Sequence, residues 1–203
     1  MKKLEPSIRR VPRIGVTLGI VLMLSMVGCG GGATKGSASG SPTGAQAASP
    51  ASTVPSGWTL HSDQADGFSI ATPAGWVEKS SSNQLVKILL SDSVTNASVN
   101  VVVATVPTSV SLDDFEKANV RDAESNPGIQ IHPPINQQRV TLPAGEAGEV
   151  SYRATVSGIQ ASFRQYLMVK SGAGYVVTFT SPLESAATLG STFDQIIDTF
   201  RIT

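Results

Sequence analysis

Residues 149–179 read EVSYRATVSGIQASFRQYLMVKSGAGYVVTF, and this stretch decides the fold. Two short turns, Val156-Ser157-Gly158 and Ser171-Gly172-Ala173, divide it into three segments of alternating character. In the middle segment, one side carries Ile159, Ala161, Phe163, Leu167 and Val169, and the other carries Gln160, Ser162, Arg164 and Lys170. A period of two is typical of β-strands, and short turns join antiparallel neighbours. The stretch therefore predicts an antiparallel meander of three strands.

The same alternation recurs upstream of the meander. It is clearest in Ala97, Val99, Val101 and Val103, which are separated at first by Ser98 and Asn100. This pattern predicts a half-buried strand. Shorter segments at 67–72 and 86–91 are interpreted as further strands.

Helical spacing appears in two other places. Ser111 is placed to cap a helix that has Asp113 and Asp114 in its first turn and stops at Asn126-Pro127-Gly128. Ser191 is interpreted as the cap of a second helix, whose apolar stripe is Phe193, Ile196, Ile197 and Phe200. A short helix is also predicted over 183–189, after Ser181-Pro182. The predicted fold class is α+β, an antiparallel sheet with helices packed against it.

Residues 67–76, GFSIATPAGW, indicate which family this order of strands and helices resembles. They resemble the opening of PsbP-like domains, and the order of strands and helices across 58–203 is similar to the layout of that family. The Pro-x-Gly-Trp turn is expected to fix a corner and to place the indole of Trp76 in the core. The resemblance implies an α/β/α sandwich. The same broad fold resembles that of DcrB-like and LpqN-like bacterial lipoproteins. Members of the PsbP-like family attach to photosystem II, attach to a small GTPase in eukaryotes, or have no settled role, so the resemblance implies the fold and not a particular partner.

The N-terminal region predicts export. A cationic start precedes Ile14 to Val27, a mostly apolar run of 14 residues, which is shorter than the roughly 20 that a membrane-spanning helix needs. Met26-Val27-Gly28-Cys29 follows and resembles the lipobox of bacterial lipoproteins. The resemblance implies a signal peptide at 1–28 and acyl chains, palmitate among them, on Cys29. A plain secretory signal with an incidental cysteine is the alternative.

Composition divides the remaining chain into a tether and a domain. Between residues 30 and 55, 23 of 26 residues are Gly, Ala, Ser, Thr or Pro, which is too little apolar surface to fold. Residues 29–55 are therefore interpreted as the lipidated cysteine and a disordered tether, spanning about 28 Å as a flexible coil. Residues 56–203 are expected to form the globular domain. The predicted location is the outer side of the cell membrane, or the outer membrane if the envelope has two, because Gly30 rather than Asp follows the cysteine.

No cluster of reactive residues emerges from the sequence. His61 and His132 lie far apart in the chain, and His132 precedes Pro133-Pro134 in an apparent loop. Asp63 and Asp66 flank a polar turn that could contact a cation, although two acids are a sparse ligand set. The acidic pairs Asp113/Asp114 and Glu146/Glu149 are explained by helix capping and by solvation. We therefore predict no catalytic residue, no cofactor and no metal site, and Cys29 is the one modification site proposed.

Charge narrows the class of partner. After residue 28 the chain has ten Lys and Arg against fourteen Asp and Glu, so a nucleic-acid partner is not expected. The leading hypothesis is a noncatalytic protein-binding or assembly module anchored in the cell envelope. The alternatives are a carrier of a small apolar ligand between sheet and helices and, third, a serine hydrolase.

Overall fold

The computed structural model describes residues 54–203. The predicted signal peptide, Cys29 and nearly all of the tether lie outside the described residues. Within 54–203 the chain forms ten strands and two helices. In order they are β1 (Trp58–Asp63), β2 (Phe68–Pro73), β3 (Val77–Glu78), β4 (Val86–Asp92), β5 (Ala97–Thr105), α1 (Leu112–Ser125), β6 (Ile129–Leu142), β7 (Gly145–Val156), β8 (Ile159–Lys170), β9 (Ala173–Pro182), α2 (Ala186–Asp198) and β10 (Arg201–Ile202).

The strands form two antiparallel sheets. The larger has seven strands in the order β3-β4-β5-β9-β8-β7-β6, and the smaller has three in the order β1-β2-β10. Hairpins join β6, β7, β8 and β9, so the predicted three-strand meander is confirmed and gains a fourth strand. Helix α1 connects β5 to the far edge strand β6, and α2 connects the large sheet to the small one. The predicted α+β class is confirmed.

A separate hydrophobic core covers each side of the large sheet. On the side of α2, Phe179 packs against Phe193 of the helix, with ring centroids 4.7 Å apart, and Phe200 packs near Phe68 of the small sheet. On the side of α1, Phe163 stacks on Tyr152 with centroids 5.2 Å apart. These two sides are called the α2 side and the α1 side below.

The existence of two cores corrects the prediction for residues 97–103. Strand β5 is buried on both sides rather than half-buried, because Val101 and its odd-numbered neighbours enter the first core while Val102 enters the second. Asn100 is also buried, at 3% exposure. The alternation predicted from the sequence is present, but Asn100 faces the interior of the α1 side rather than solvent, and Ser98 is half-buried.

Helix α1 begins where the sequence predicts. The Ser111 side chain accepts a hydrogen bond of 3.1 Å from the backbone N–H of Asp114, and both predicted acids lie in the first turn. The helix ends at Ser125, with Asn126 as its C-terminal cap.

Helix α2 begins earlier than predicted. Ser191 lies exposed inside the helix rather than at its start, and Ser185 precedes the first turn. Residues 183–189 are helical as predicted, but they do not form a separate helix, because a 3₁₀ turn at Leu183–Ser185 runs directly into α2. The buried stripe begins at Leu189, one turn before Phe193, and this packing extends the helix toward its N-terminus. Phe200 follows the helix and is nevertheless fully buried.

Strand β6 replaces the loop predicted around His132-Pro133-Pro134. A shift of register between His132 and Asn136 lets the prolines leave the ladder, so strand pairing continues on both sides of them. The short strands β1, β3 and β10 were not predicted from the sequence. Trp76 is half-buried at the margin of the α2-side core, so its indole packs against the core without entering it.

Candidate interaction surface

Within residues 54–203, no helix lies over part of the α2 side of the large sheet. Along β7, residues 150, 152, 154 and 156 are buried, whereas Glu149, Ser151, Arg153 and Thr155 on the other side are half-buried or exposed. Strand pairing places their neighbours on β6 and β8 beside them. We call this surface the open face, and its residues are Gln130, His132, Asn136, Gln138, Glu149, Ser151, Arg153, Thr155, Gln160 and Ser162.

The open face is rich in neutral hydrogen-bonding groups. Seven of its ten side chains are amides or hydroxyls, and His132 forms a 2.8 Å hydrogen bond with the Thr155 hydroxyl. Arg153 is exposed near its centre, opposite His132 on one side and Ser162 on the other. Polar rows of this kind present many donors and acceptors in one plane.

Arg164 marks the boundary between the open face and α2. Its guanidinium pairs with Asp194 of the helix and lies 5.5 Å from the centroid of the Tyr166 ring. Burial raises the pKa of the Tyr166 phenol, which therefore stays protonated at neutral pH. The boundary is thus held by an ion pair and a cation–π contact, and Arg164 is already engaged within the protein.

On the opposite side of the sheet, an ion-pair cluster fixes α1. Arg139 of β6 pairs with Asp113 and Glu116 of the helix, and its Nε lies 4.0 Å from a carboxylate oxygen of Glu146. The Glu116 side chain is only 9% exposed. Gly148 makes this approach possible, because a Cβ at that position would overlap both the Glu116 carboxylate and the Arg139 guanidinium. Asp113 therefore serves the ion pair as well as the helix start.

We expect Arg139→Met to lower the free energy of unfolding by roughly 1–3 kcal/mol, because Glu116 then keeps a poorly hydrated charge without its partner. Urea unfolding followed by circular dichroism measures this change. Adding Glu116→Gln should recover part of the loss, since the second change removes the stranded charge. Lys117→Met, an exposed cation on the same helix, is the matched control and should change stability by less than about 0.5 kcal/mol. An equal effect of both single changes would contradict the ion-pair role.

Polar atoms are also buried beneath α1. The amide of Asn119 and the Gln165 Oε1 have no hydrogen-bond partner, although the two residues are 4% and 1% exposed. The Gln165 amide nitrogen donates to the Thr178 hydroxyl at 3.2 Å. The interface between α1 and the sheet therefore buries polar side-chain atoms that find no partner within the described residues.

The acids considered for a cation have local structural partners. The Asp63 side chain accepts hydrogen bonds of 3.0 Å from the backbone N–H groups of Ala65 and Asp66, which shapes the turn between β1 and β2. Asp66 pairs with Lys87 at 3.0 Å. Between residues 54 and 203, no group of three or more His, Cys, Asp or Glu side chains is arranged to hold a metal ion.

The remaining polar residues considered in the sequence are separated by the fold. His61 lies in the small sheet, 3.2 Å from the Thr72 hydroxyl, and burial lowers the pKa of its imidazole. His132 lies at the open face on the other edge of the molecule. Glu146 is exposed beside Arg139, and Glu149 lies at the open face. Of all these residues, only His132 and Glu149 share a surface.

Two hollows open at the surface. One of about 500 Å³ lies at the turn end of the large sheet, where Val110, Leu112, Met168 and Ile202 meet Glu146 and Lys170. Another of about 420 Å³ lies between Glu124 and the β6 residues Ile131, Pro133 and Ile135. Both are open to solvent, and the second lies between α1 and the large sheet. In the described part of the chain, no helix has the length and apolar character needed to cross a bilayer.

Comparison with solved structures shows the fold in several proteins. Cyanobacterial PsbP from Synechocystis aligns with a TM-score of 0.60 at 16% identity, covering 77% of this chain and 98% of its own. The Ran-binding protein Mog1p of Saccharomyces cerevisiae aligns with a TM-score of 0.52 at 11% identity, covering 71% and 95%. LpqN of Mycobacterium tuberculosis, involved in cell envelope biogenesis, aligns with a TM-score of 0.50 at 13% identity, covering 67% and 83%.

Sequence comparison defines the family. No curated protein sequence matches the chain. The family model described as PsbP-like protein matches residues 19–202, which is most of the chain and includes every strand and helix described above. The chain therefore belongs to the PsbP-like protein family.

Proposed function

We propose that this protein is an exported lipoprotein, held at a membrane surface by acyl chains on Cys29 and carrying a noncatalytic protein-binding module at 56–203. The leader supports the first half of the proposal, since the apolar run ends at a small residue directly before the sole cysteine. The family match begins at residue 19, inside that apolar run, which further supports treating leader and domain as one unit. LpqN, which shares the fold, is involved in cell envelope biogenesis.

The open face is the single observation that carries the binding function. On the α2 side, α2 and the small sheet cover much of the large sheet. Within the described residues, nothing covers this side over β6, β7 and the start of β8, and the side chains there offer hydrogen bonds in a regular array. Protein partners bury such polar surfaces with about one hydrogen bond per 100–200 Å². A protein of the same fold, Mog1p, is Ran-binding. The proposal transfers the class of activity, binding to a protein, and not that partner.

A small apolar ligand is the second candidate. The hollow of about 500 Å³ at the turn end favours it, because the volume falls within the usual range for ligand pockets and six of its lining residues are apolar. Protein binding is preferred, since the hollow is open and the charged Glu146 and Lys170 also line it.

The test is site-specific photo-crosslinking in intact cells. A photoreactive amino acid in place of Arg153 reports contacts at the open face, and the same amino acid in place of Lys117, an exposed cation of α1 on the other side of the sheet, is the matched control. We expect a discrete crosslinked product of higher mass from position 153 and none from position 117. Identical patterns from both positions, or no product from 153 in any growth state, would count against a protein partner at this face.

A further inference from the structure

The outer edges of the large sheet differ in how well they are protected. An unpaired strand edge exposes backbone N–H and C=O groups that can pair with another strand, so proteins block such edges with prolines, bulges, lysines or very short strands. At one edge, β3 has only two residues, and the neighbouring β4 has an irregularity between Val86 and Ile88, next to Lys87. Because Lys87 itself pairs with Asp66, this edge is protected by two of those devices, a very short strand and an irregularity.

At the other edge, protection covers only half of β6. Pro133 and Pro134 have no N–H groups, and the strand pairing shifts there, so the first half cannot serve as a template. Residues 136–142 instead pair with β7 one by one without interruption and contain neither proline nor glycine. The one charged side chain in this segment, Arg139, is paired with Asp113 and Glu116. We call residues 136–142 the free edge.

We propose that the free edge pairs with the free edge of a second copy of this chain, joining two seven-stranded sheets into one. Two copies related by a two-fold axis normal to the sheet form an antiparallel pair in which each residue faces a residue on the same side of the sheet. With the axis at Gln138, the two Gln138 side chains face each other, Gln137 faces Arg139 of the second copy, and Asn136 faces Val140. The pairing is therefore made by residues 136–140 of the free edge, and residues 141–142 extend beyond it toward the proline half of the second copy.

Charge selects this register and this occupant. An axis at Arg139 would place two guanidinium groups opposite each other, which is unfavourable in a strand pair. With the axis at Gln138, charges are never opposed, and the neutral amides of Gln137 and Gln138 can both donate and accept, so the edge is complementary to itself. The free edge adjoins the open face, so pairing would place two open faces side by side without covering either one.

The test is disulfide trapping in membranes of cells that produce the full chain, with copper phenanthroline as the oxidant. Opposed Cα atoms in an antiparallel pair lie about 4.5–5.5 Å apart, within the range of a disulfide, so Gln138→Cys should form a dimer linked through residue 138. Thr141→Cys is the matched control, equally exposed on the same edge. In the proposed register the two copies of residue 141 are separated by about 20 Å along the strand.

We expect roughly tenfold more dimer from Gln138→Cys than from Thr141→Cys, because one pair is within disulfide range and the other is not. The parent chain, whose only cysteine is Cys29, gives the background, and Val94→Cys, at an 87% exposed turn residue, gives the yield from random collisions. A Gln138→Cys dimer no stronger than the Val94→Cys dimer would overturn the proposal. So would trapping of residue 138 to a different protein, or a stronger dimer from Leu60→Cys on the outer edge of β1.

Discussion

Cys29→Ser is expected to abolish lipid labelling and to release the chain from the membrane fraction. The sole thiol of the chain is the only group that can form a thioether to a diacylglycerol, and a serine hydroxyl does not replace a thiolate in that reaction. Each buried methylene contributes about 0.8 kcal/mol, so losing two or three acyl chains removes far more than the binding that remains. Metabolic labelling with an alkyne fatty acid and centrifugation of lysed cells measure the two effects.

The position of the thiol provides the control. Adding Ser37→Cys to the Cys29→Ser chain restores a cysteine eight residues further along the tether, away from the apolar run. We expect this double variant to remain unlabelled, because the proposed processing acts on a cysteine directly after Gly28. Labelling of the Cys29→Ser chain at the level of the parent would refute the anchor. An unlabelled parent chain would favour the plain secretory signal instead.

Gly174→Ala is expected to lower the free energy of unfolding by about 1–3 kcal/mol, the usual cost of overpacking a filled core. The Phe115 ring of α1 lies directly on Gly174 of β9, and a Cβ there would be 2.6 Å from its Cζ and 2.7 Å from its Cε2. Neither atom belongs to a flexible chain end, so the ring or the helix must shift. Urea unfolding followed by circular dichroism measures the loss.

Two further variants separate crowding from a general effect of removing glycine. Gly190→Ala, in α2, adds the same methyl group where no atom lies within 4 Å, and it should be neutral or stabilising by up to about 1 kcal/mol. Phe115→Ala alone should destabilise, but combining it with Gly174→Ala should cost less than the sum of the two single changes, because the added methyl no longer meets a ring. Strict additivity would show that Phe115 and Gly174 are not in conflict.

The parts of the fold that the sequence predicted are the local ones. The three meander strands and the start of α1 depend on alternation, turn residues and a capping serine that lie within a few positions of one another. The first turn of α2 depends instead on packing of Leu189 against the sheet, and a plausible capping residue, Ser191, pointed to the wrong position. The prolines of β6 obscured a strand whose partner, β7, is defined only by tertiary pairing.

The candidate surfaces were predictable in part. Alternation in β7 was readable, and it correctly separates Val150 and Tyr152 from Ser151 and Arg153. Sequence periodicity cannot tell whether the polar side of a strand is later covered, as it is at Asn100, or left bare, as at Ser151. The Arg139 ion pairs could not be predicted from the sequence either, because they join residues 23 and 26 positions apart through the packing of a helix on a sheet.

The small sheet has a consequence for the order of folding. Strand β2 acquires its second neighbour only from residues 201–202, and the Thr199 hydroxyl accepts a 2.8 Å hydrogen bond from the backbone N–H of Ala71. Local hairpins close quickly, whereas contacts that span more than 120 residues close slowly. Strands β1 and β2 must therefore wait without a completed core until the far end of the domain has been synthesised. A nascent chain that lacks residues 199–202 cannot complete the small sheet, and under the export proposed above this delays completion of the fold until the domain has been synthesised.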